Sequence, residues 1–258
     1  STTYNVYASS TDGCSRELNN TATVTVNDLP TDALAVSDDA VCNGENATVT
    51  ISNSQSDVDY QLRLDSDDSD VGSSVEGTGA NINITFSPTS STATYNVYAT
   101  NGNNCSAELT DKPVVTVNPL PNSGLAVSDA TVCSGSDATI TLSNSETNVD
   151  YQLRLESDDS DVGSAVSGTG SDITFTVSPT GNTTYNVLAT TSEGCEVELS
   201  DKTTVTVNPL PQIALGVSDD AICSGETASI TLSNSENGVV YQLRQNSDDT
   251  PVGATDRK

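Results

Sequence analysis

The sequence predicts an all-β chain of tandem antiparallel β-sandwich domains of about 90 residues each. Three observations lead to this prediction. The cysteines recur with a long fixed period, short runs alternate between apolar and polar residues, and these runs are separated by Ser, Asn, Asp and Gly. Alternation with period two is typical of half-buried strands, and no segment sustains the 3.6-residue period of a helix.

The cysteine period sets the domain organisation. Cys14, Cys105 and Cys195 follow one another at 91 and 90 residues, and the other three cysteines repeat these two spacings. A unit of this length is large enough to bury its own core. We therefore expect the chain to be a piece of a longer tandem array, with part of a repeat in residues 1–30, complete repeats in 31–121 and 122–211, and part of a repeat in 212–258.

The repeat 122–211 illustrates the strand pattern. Ile140 and Leu142 alternate with Thr139 and Thr141, which places the apolar pair on one face of a strand. Seven such strands at this spacing favour an Ig-like sandwich. The predicted strands are Leu125–Cys133, Ala138–Asn144, Tyr151–Leu155, Val162–Val166, Ile173–Ser178, Thr184–Thr190 and Glu196–Val207.

Short proline-containing segments lie between the repeats. "NDLP" ends at Pro30, and "NPLP" ends at Pro121 and again at Pro211. Proline fixes its own φ angle and restricts the residue before it. The sequence therefore predicts short, semi-rigid joints that connect the repeats end to end.

Charge excludes several classes of partner. The chain has 36 acidic and 8 basic residues, a net charge of −28, and no histidine. Such a surface repels nucleic acid and anionic membranes, so we expect no nucleic-acid partner and no insertion into a membrane. Without histidine the usual general base is missing, and the repeats contain no unique catalytic set, so we predict that the chain is not an enzyme.

The six cysteines allow two pairing schemes. Pairing within a repeat joins Cys42 to Cys105 and Cys133 to Cys195, and leaves Cys14 and Cys223 to partners outside this sequence. Pairing across each joint would instead link cysteines 28 residues apart: Cys14–Cys42, Cys105–Cys133 and Cys195–Cys223. We favour the first scheme, because an end-to-end array carries the second set of sulfurs apart, and a disulfide needs Cα atoms within about 7 Å. Free buried thiols are the remaining alternative.

An acidic run recurs in each repeat. "YQLRLDSDDSDVGS" begins at Tyr60, "YQLRLESDDSDVGS" at Tyr151 and a decayed copy at Tyr241. Carboxylates and hydroxyls on a loop are ligands that Ca²⁺ accepts, although no cofactor is required for the predicted fold. The calcium candidates in these runs are Asp65, Asp67, Asp68, Asp70, Asp158, Asp159 and Asp161. Further candidates beside the joints are Asp38, Asp39, Asp219 and Asp220. The alternative is a solvated loop that keeps neighbouring repeats soluble and apart.

The landmarks "VCSGSDATITLSNSETNVDYQLR" and "TTYNVLATTSEGCEVELSDKTTVTVNPLP" carry a family resemblance. They resemble the Ig-like or PKD-like repeats of very large secreted surface proteins of Bacteroidota, such as gliding adhesins and other type IX secretion substrates. The resemblance implies an extracellular, cell-surface location and a role in adhesion or in building a stalk.

The expected function is therefore structural. We predict a repeat region that forms the rod or filament shaft of an extracellular adhesin, with neighbouring repeats of the same chain and identical chains in a filament as its partners. The alternative is a repeated binding module that contacts glycan or protein ligands through its loops. The scarcity of aromatic residues, with no Trp and two Phe, argues against stacking on sugars.

Overall fold

The computed structural model describes residues 1–257, and every regular element in that range is a β-strand. Contacts divide the chain into two compact units. The first consists of residues 1–121 together with 190–197, and the second consists of residues 122–189 together with 198–258. Among the described residues, no helix is long and apolar enough to span a membrane.

Strands are numbered in chain order. Residues 1–30 contain four short strands: β1 (Thr2–Tyr4), β2 (Tyr7–Ser9), β3 (Ser15–Glu17) and β4 (Ala22–Val24). The repeat 31–121 contains β5 (Asp39–Cys42), β6 (Ala47–Ile51), β7 (Val58–Leu64), β8 (Val75–Glu76), β9 (Ile82–Phe86), β10 (Ala93–Asn101), β11 (Ser106–Glu108) and β12 (Val114–Asn118).

The repeat 122–211 has the same eight elements. They are β13 (Ala130–Cys133), β14 (Ala138–Leu142), β15 (Val149–Leu155), β16 (Val166–Ser167), β17 (Ile173–Val177), β18 (Thr183–Thr191), β19 (Glu196–Glu198) and β20 (Thr203–Asn208). Residues after 211 contain β21 (Gly216–Val217), β22 (Leu232–Ser233), β23 (Val240–Tyr241) and β24 (Asp256–Arg257).

Each complete repeat has two sheets. In the first repeat the larger sheet has the order β5-β12-β10-β7-β8, with β11 also paired to β10, and the smaller sheet pairs β6 with β9. The second repeat repeats this topology as β13-β20-β18-β15-β16, with β19 on β18, and β14 paired with β17. Most pairs are antiparallel, but β5 runs parallel to β12 and β13 runs parallel to β20.

The alternating sequence pattern explains the core. In β14 the side chains of Ile140 and Leu142 are fully buried, whereas Thr139 before them is exposed and Thr141 between them is half-buried. The first repeat buries the same face of each strand, with Tyr60 and Leu62 of β7 inaccessible to solvent. The predicted strands are present, but three of them differ in extent. The first is shorter, since β13 begins at Ala130, and the fourth is shifted, since β16 overlaps the predicted Val162–Val166 only at Val166. The last is divided: residues 196–207 form β19 and β20 with a short connection between them.

A tyrosine on the third major strand ties that strand to the preceding loop in each repeat. The Tyr151 hydroxyl accepts a 2.8 Å hydrogen bond from the backbone N–H of Glu146, and Tyr60 and Tyr241 occupy the same position in their repeats. Burial raises the pKa of Tyr151. This tyrosine precedes the acidic run, so the start of the repeated sequence has a structural role.

Candidate functional site

The acidic run folds into a tight turn after the third major strand of each repeat. In the first repeat, the backbone N–H of Asp68 donates to the Leu64 carbonyl at 2.9 Å, and Asp68 has φ of 56°. Asp67 accepts a 3.0 Å bond from the Ser69 N–H, which closes the turn locally. Asp159 and Asp158 take these two positions in the second repeat. Aspartate suits this turn because it tolerates a left-handed backbone conformation and because its short side chain can bond the backbone two residues on.

A buried asparagine lies under the turn. Asn96 on β10 is 2% exposed, and its Nδ2 donates to Asp68 at 2.8 Å. In the second repeat Asn186 is 1% exposed and donates to Asp159 at 2.8 Å and to Glu156 at 3.2 Å. These amides thus bind Asp68 and Asp159, two of the carboxylates that the sequence suggested as cation ligands.

A lysine neutralises part of the charge of each turn. Lys112 bonds Asp65 and Lys202 bonds Glu156, and in each case the ammonium group holds the pKa of the carboxyl below its ordinary value. A lowered carboxyl pKa stabilises the fold above the unfolded pKa, and this contribution is lost as the pH falls through the folded pKa. The pairs are exposed to solvent, so salt screens them.

The arginine that recurs in "YQLR" makes different contacts in the two complete repeats. Arg63 bonds Asp70 at 3.0 Å, and its guanidinium lies 4.1 Å from the centre of the Tyr98 ring. Arg154 instead donates to the Asn186 Oδ1 at 3.1 Å and to Glu198 at 3.0 Å. Consequently the Asn186 amide oxygen has a donor, whereas the buried Asn96 Oδ1 has none among the described residues.

The aspartates beside the joints bind backbone groups. Asp38 accepts from the Val114 N–H at 2.7 Å, and Asp39 accepts from the Thr48 N–H at 2.7 Å. Asp220 makes the equivalent 2.7 Å bond to Ser229. Asp219 is exposed, and the Asp161 backbone forms a bridge with Arg154. In the first complete repeat, the carboxylates of Asp38 and Asp39 thus hold the start of β5 against the neighbouring strands.

The described part of the chain, residues 1–257, contains no group of three or more Cys, Asp or Glu side chains placed to hold a metal ion. Most of the candidate carboxylates accept hydrogen bonds from an amide, an ammonium, a guanidinium or a backbone N–H. Occupation of the acidic turns by calcium would therefore require these contacts to be exchanged.

We expect calcium to leave the stability of the protein unchanged, because Lys112 and Lys202 already compensate the turns. A site with a Kd of about 0.1 mM would add about 2 kcal/mol at about 5 mM ion, which is readily seen as a higher Tm. The measurement is Tm in calcium and in chelator at matched ionic strength. Magnesium serves as the control for general screening, and a rise of several degrees specific to calcium would contradict the expectation.

The two buried asparagines provide a further prediction. Asn186→Ala removes both Nδ2 bonds and the Oδ1 acceptor of Arg154, so we expect a loss of about 2 kcal/mol in the second repeat. Asn96→Ala removes donors only, and relieves an unpaired buried oxygen, so we expect a cost about 1 kcal/mol smaller.

Denaturant-dependent hydrogen exchange of the strand amides in each repeat measures these changes separately, since a single melt of the whole chain would mix the two repeats. Equal costs for both substitutions would show that the Arg154 contact contributes little. A larger cost for Asn96→Ala would refute the assignment of the unpaired oxygen.

The disulfide in the structure joins Cys42 to Cys195. The sulfurs are 2.02 Å apart, the Cα atoms are 5.5 Å apart, and 153 residues separate the two positions in sequence. Cys42 ends β5, and Cys195 lies in the turn between β18 and β19, within the segment 190–197 that belongs to the first compact unit. The thiols of Cys14, Cys105, Cys133 and Cys223 are free in this chain.

This pairing corrects the prediction of Cys42–Cys105 and Cys133–Cys195, neither of which forms. Cys42 pairs with Asn118 in the parallel β5–β12 register, beyond the start of β10 at Ala93. Cys105 follows the other end of β10, past Asn101. The strand between these ends is roughly 27 Å long, far more than the 7 Å or so that a disulfide allows.

Sequence reasoning missed the pairing because cysteine spacing does not reveal at which end of a repeat each cysteine lies. The parallel pairing of first and last strands decides this, since it places Cys42 and Cys133 at the end where the chain leaves the repeat. The second cysteine of each repeat, Cys105 or Cys195, lies at the opposite end, where the chain enters the repeat. There, the backbone N–H of Ser200, just after β19, donates to the Ser123 carbonyl at 2.8 Å.

The chain belongs to the family of Ig-like domains described as CHU_C associated. Its model matches residues 30–119 and again residues 121–209. Together with the strand-only structure, these matches confirm the predicted all-β fold of tandem Ig-like domains of about 90 residues. Ig-like domains are generally not enzymes, and the family and the disulfide indicate an extracellular domain. No curated protein matches the chain.

Several solved structures resemble the chain at low identity. Three consecutive Ig domains of titin, in a Glu-to-Ala variant, are 10% identical, cover 87% of this chain and 81% of their own, and give a TM-score of 0.46. A marsupial T cell receptor is 11% identical, with 82% and 83% covered and a TM-score of 0.45. A Ca²⁺-stabilised, ice-binding adhesin of an Antarctic bacterium is 12% identical, with 86% and 60% covered and a TM-score of 0.43. At these values the likeness carries no argument about function.

Proposed function

We propose that the chain is a structural repeat region that forms the rod or filament shaft of an extracellular cell-surface adhesin. The observation that carries the proposal is the Cys42–Cys195 disulfide, which covalently joins one Ig-like repeat to the next. A covalent bridge between two repeats restricts bending at the joint that connects them. A shaft requires such restricted joints because it has to keep its direction over many repeats. Its partners are the neighbouring repeats of the same chain and identical chains in a filament.

The surface of the complete repeats supports a structural role over ligand binding. Between residues 31 and 211, the large apolar side chains with substantial exposure are Val114, Leu120 and Leu210. Tyr98 is covered by the Arg63 guanidinium, so its ring is not free to stack on a sugar. The acidic turns bind the protein's own amide and ammonium groups. These features favour solubility and internal rigidity over a loop-borne binding site.

Small-angle X-ray scattering of the oxidised 258-residue protein tests the rod. A compact chain of this length has a radius of gyration of about 18 Å, whereas a rod of end-to-end domains exceeds about 25 Å. We expect the higher value, together with no binding on a glycan array. A value near 18 Å would overturn the shaft proposal, and saturable glycan binding would favour the repeated binding module.

A further inference from the structure

The turn that carries Cys105 is built in the same way as the turn that carries the bridged Cys195. The Asn101 N–H donates to the Cys105 carbonyl at 3.0 Å, and the Asn101 Oδ1 accepts from the Cys105 N–H at 3.1 Å. In the second repeat, Thr191 makes the equivalent bonds to Cys195 at 2.9 and 3.1 Å. The two cysteines therefore present their thiols from the same local geometry.

The turn of Cys105 also contacts the joint that precedes its repeat. The Asn101 Nδ2 donates to the Asp28 carbonyl at 2.8 Å. Asp28 follows Asn27. Asn27 lies 91 residues before Asn118, so it is the residue of the preceding repeat that is equivalent to Asn118. In the complete repeat, Asn118 is the residue that pairs with Cys42. A cysteine equivalent to Cys42 in a complete preceding repeat would therefore pair beside Asn27, next to the turn of Cys105.

We propose that Cys105 and Cys133 are further halves of this same bridge, so that the first cysteine of each repeat bonds the second cysteine of the following repeat. Cys105 takes its partner from a preceding repeat of this type and Cys133 from a following one. Cys105 is half-buried and Cys133 is exposed, and both are free in this chain. The result is a ladder in which consecutive bridges overlap along the chain.

The positions equivalent to Cys105 and Cys133 support this assignment. The equivalent residues Cys42 and Cys195 already form the bridge, and Cys133 has the same register as Cys42, opposite Asn208 in the parallel pair of β13 and β20. The assignment of these bridges rests on the contacts of the cysteines and is independent of the proposed shaft function.

The chemistry of each bridge is thiol–disulfide exchange. Two cysteine thiols lose two electrons and two protons to a disulfide oxidant, forming one S–S bond and releasing two thiols from the oxidant. An extracellular or otherwise oxidising compartment supplies such an oxidant.

The test adds one repeat to the whole chain. A second copy of residues 31–121 is inserted between Pro30 and Thr31, and the protein is oxidised with glutathione disulfide, alkylated and digested with trypsin. Trypsin does not cleave before Pro113, so the four relevant peptides differ in mass. They carry the inserted copy of Cys42, the inserted copy of Cys105 with the original Cys42, the original Cys105 with Cys133, and Cys195.

We expect the inserted copy of Cys42 to be linked to the original Cys105, while the original Cys42 stays linked to Cys195. Alkylation of the original Cys105 should fall at least about tenfold relative to the 258-residue protein. In a matched variant carrying Cys105→Ser at the original position, the inserted Cys42 becomes reactive and the link to Cys195 remains, which reports that the repeats are folded.

Three outcomes would overturn the ladder. One is a Cys105 thiol that stays fully reactive in the extended protein. Another is a link between the two cysteines of one repeat. The third is a link between cysteines 28 residues apart across a joint.

Discussion

When the oxidised protein is stretched from its two ends, the segment of 153 residues between Cys42 and Cys195 should add no length, because the disulfide carries the load past it. Once the disulfide is reduced, the pulling force acts on this segment as well, and the segment can unfold and extend. Since an extended chain spans at most about 3.3–3.6 Å per residue, the reduced protein should gain on the order of 500 Å of additional contour length.

Single-molecule force spectroscopy with and without reductant measures this gain. Cys42→Ser should behave like the reduced protein even under oxidising conditions, whereas Cys105→Ser should behave like the oxidised wild type, because Cys105 is free. Identical contour lengths in both conditions would contradict the bridge. Bridges within each repeat would instead lock two loops of about 60 residues and release about 200 Å from each.

In a ladder of such bridges, only short segments of backbone between bridges would carry tension. In a continuous ladder, the shortest covalent path runs from Cys195 along the backbone to Cys223, and then through the next bridge. Those 28 residues can extend to about 95 Å, while the 153 residues spanned by each bridge on this path carry no tension. Unfolding a repeat would then lengthen the array little, which suits a shaft under tension.

The strands of the sandwich could be predicted from sequence because burial of alternate residues is a local pattern. Ile140 and Leu142 lie in the core as the alternation required. The break between β19 and β20 could not be predicted in the same way. Leu199 is 1% exposed and keeps an apolar pattern across the connection, so the run looks continuous although its strand pairing is interrupted.

The acidic turn shows what an alternating pattern conceals. Asn96 lies between Tyr95 and Val97, so in a simple two-faced strand its side chain points away from the core and towards solvent. It is instead buried beneath the turn that contains Asp68. The acidic loop packs over the outer face of β10 and buries Asn96 there. This contact joins residues that are 28 apart in sequence, so a local pattern does not reveal it.

A glycine in the same region carries the second large prediction. Gly168 donates its N–H to the Val149 carbonyl at 2.8 Å and lies against the loop before Tyr151. A Cβ added at this position would lie 2.0 Å from the Glu146 carbonyl oxygen and 2.9 Å from the Tyr151 ring. The backbone oxygen cannot rotate away as a flexible side chain would, so relief of the clash requires the loop to move.

We therefore expect Gly168→Ala to destabilise the second repeat by about 3 kcal/mol, since the displaced loop also carries the Glu146 N–H that bonds the Tyr151 hydroxyl. For a domain of this size the expected fall in Tm is roughly 12–20 °C. Hydrogen exchange of the β15 amides measures the loss, and the β7 amides of the first repeat serve as an internal reference.

Gly181→Ala is the matched control in the same repeat. A Cβ at Gly181 meets no atom within 4 Å, and its φ is not in the left-handed range, so we expect a change within about 0.5 kcal/mol or a slight stabilisation. Gly77 repeats the arrangement of Gly168, with a Cβ 2.0 Å from the Gln55 carbonyl oxygen, so Gly77→Ala should reproduce the loss in the first repeat. A loss of stability for Gly168→Ala as small as that for Gly181→Ala would contradict the prediction. The repeat would then not require the close approach of this backbone to the loop before the tyrosine, and the recurrence of glycine at positions 77 and 168 would need another cause.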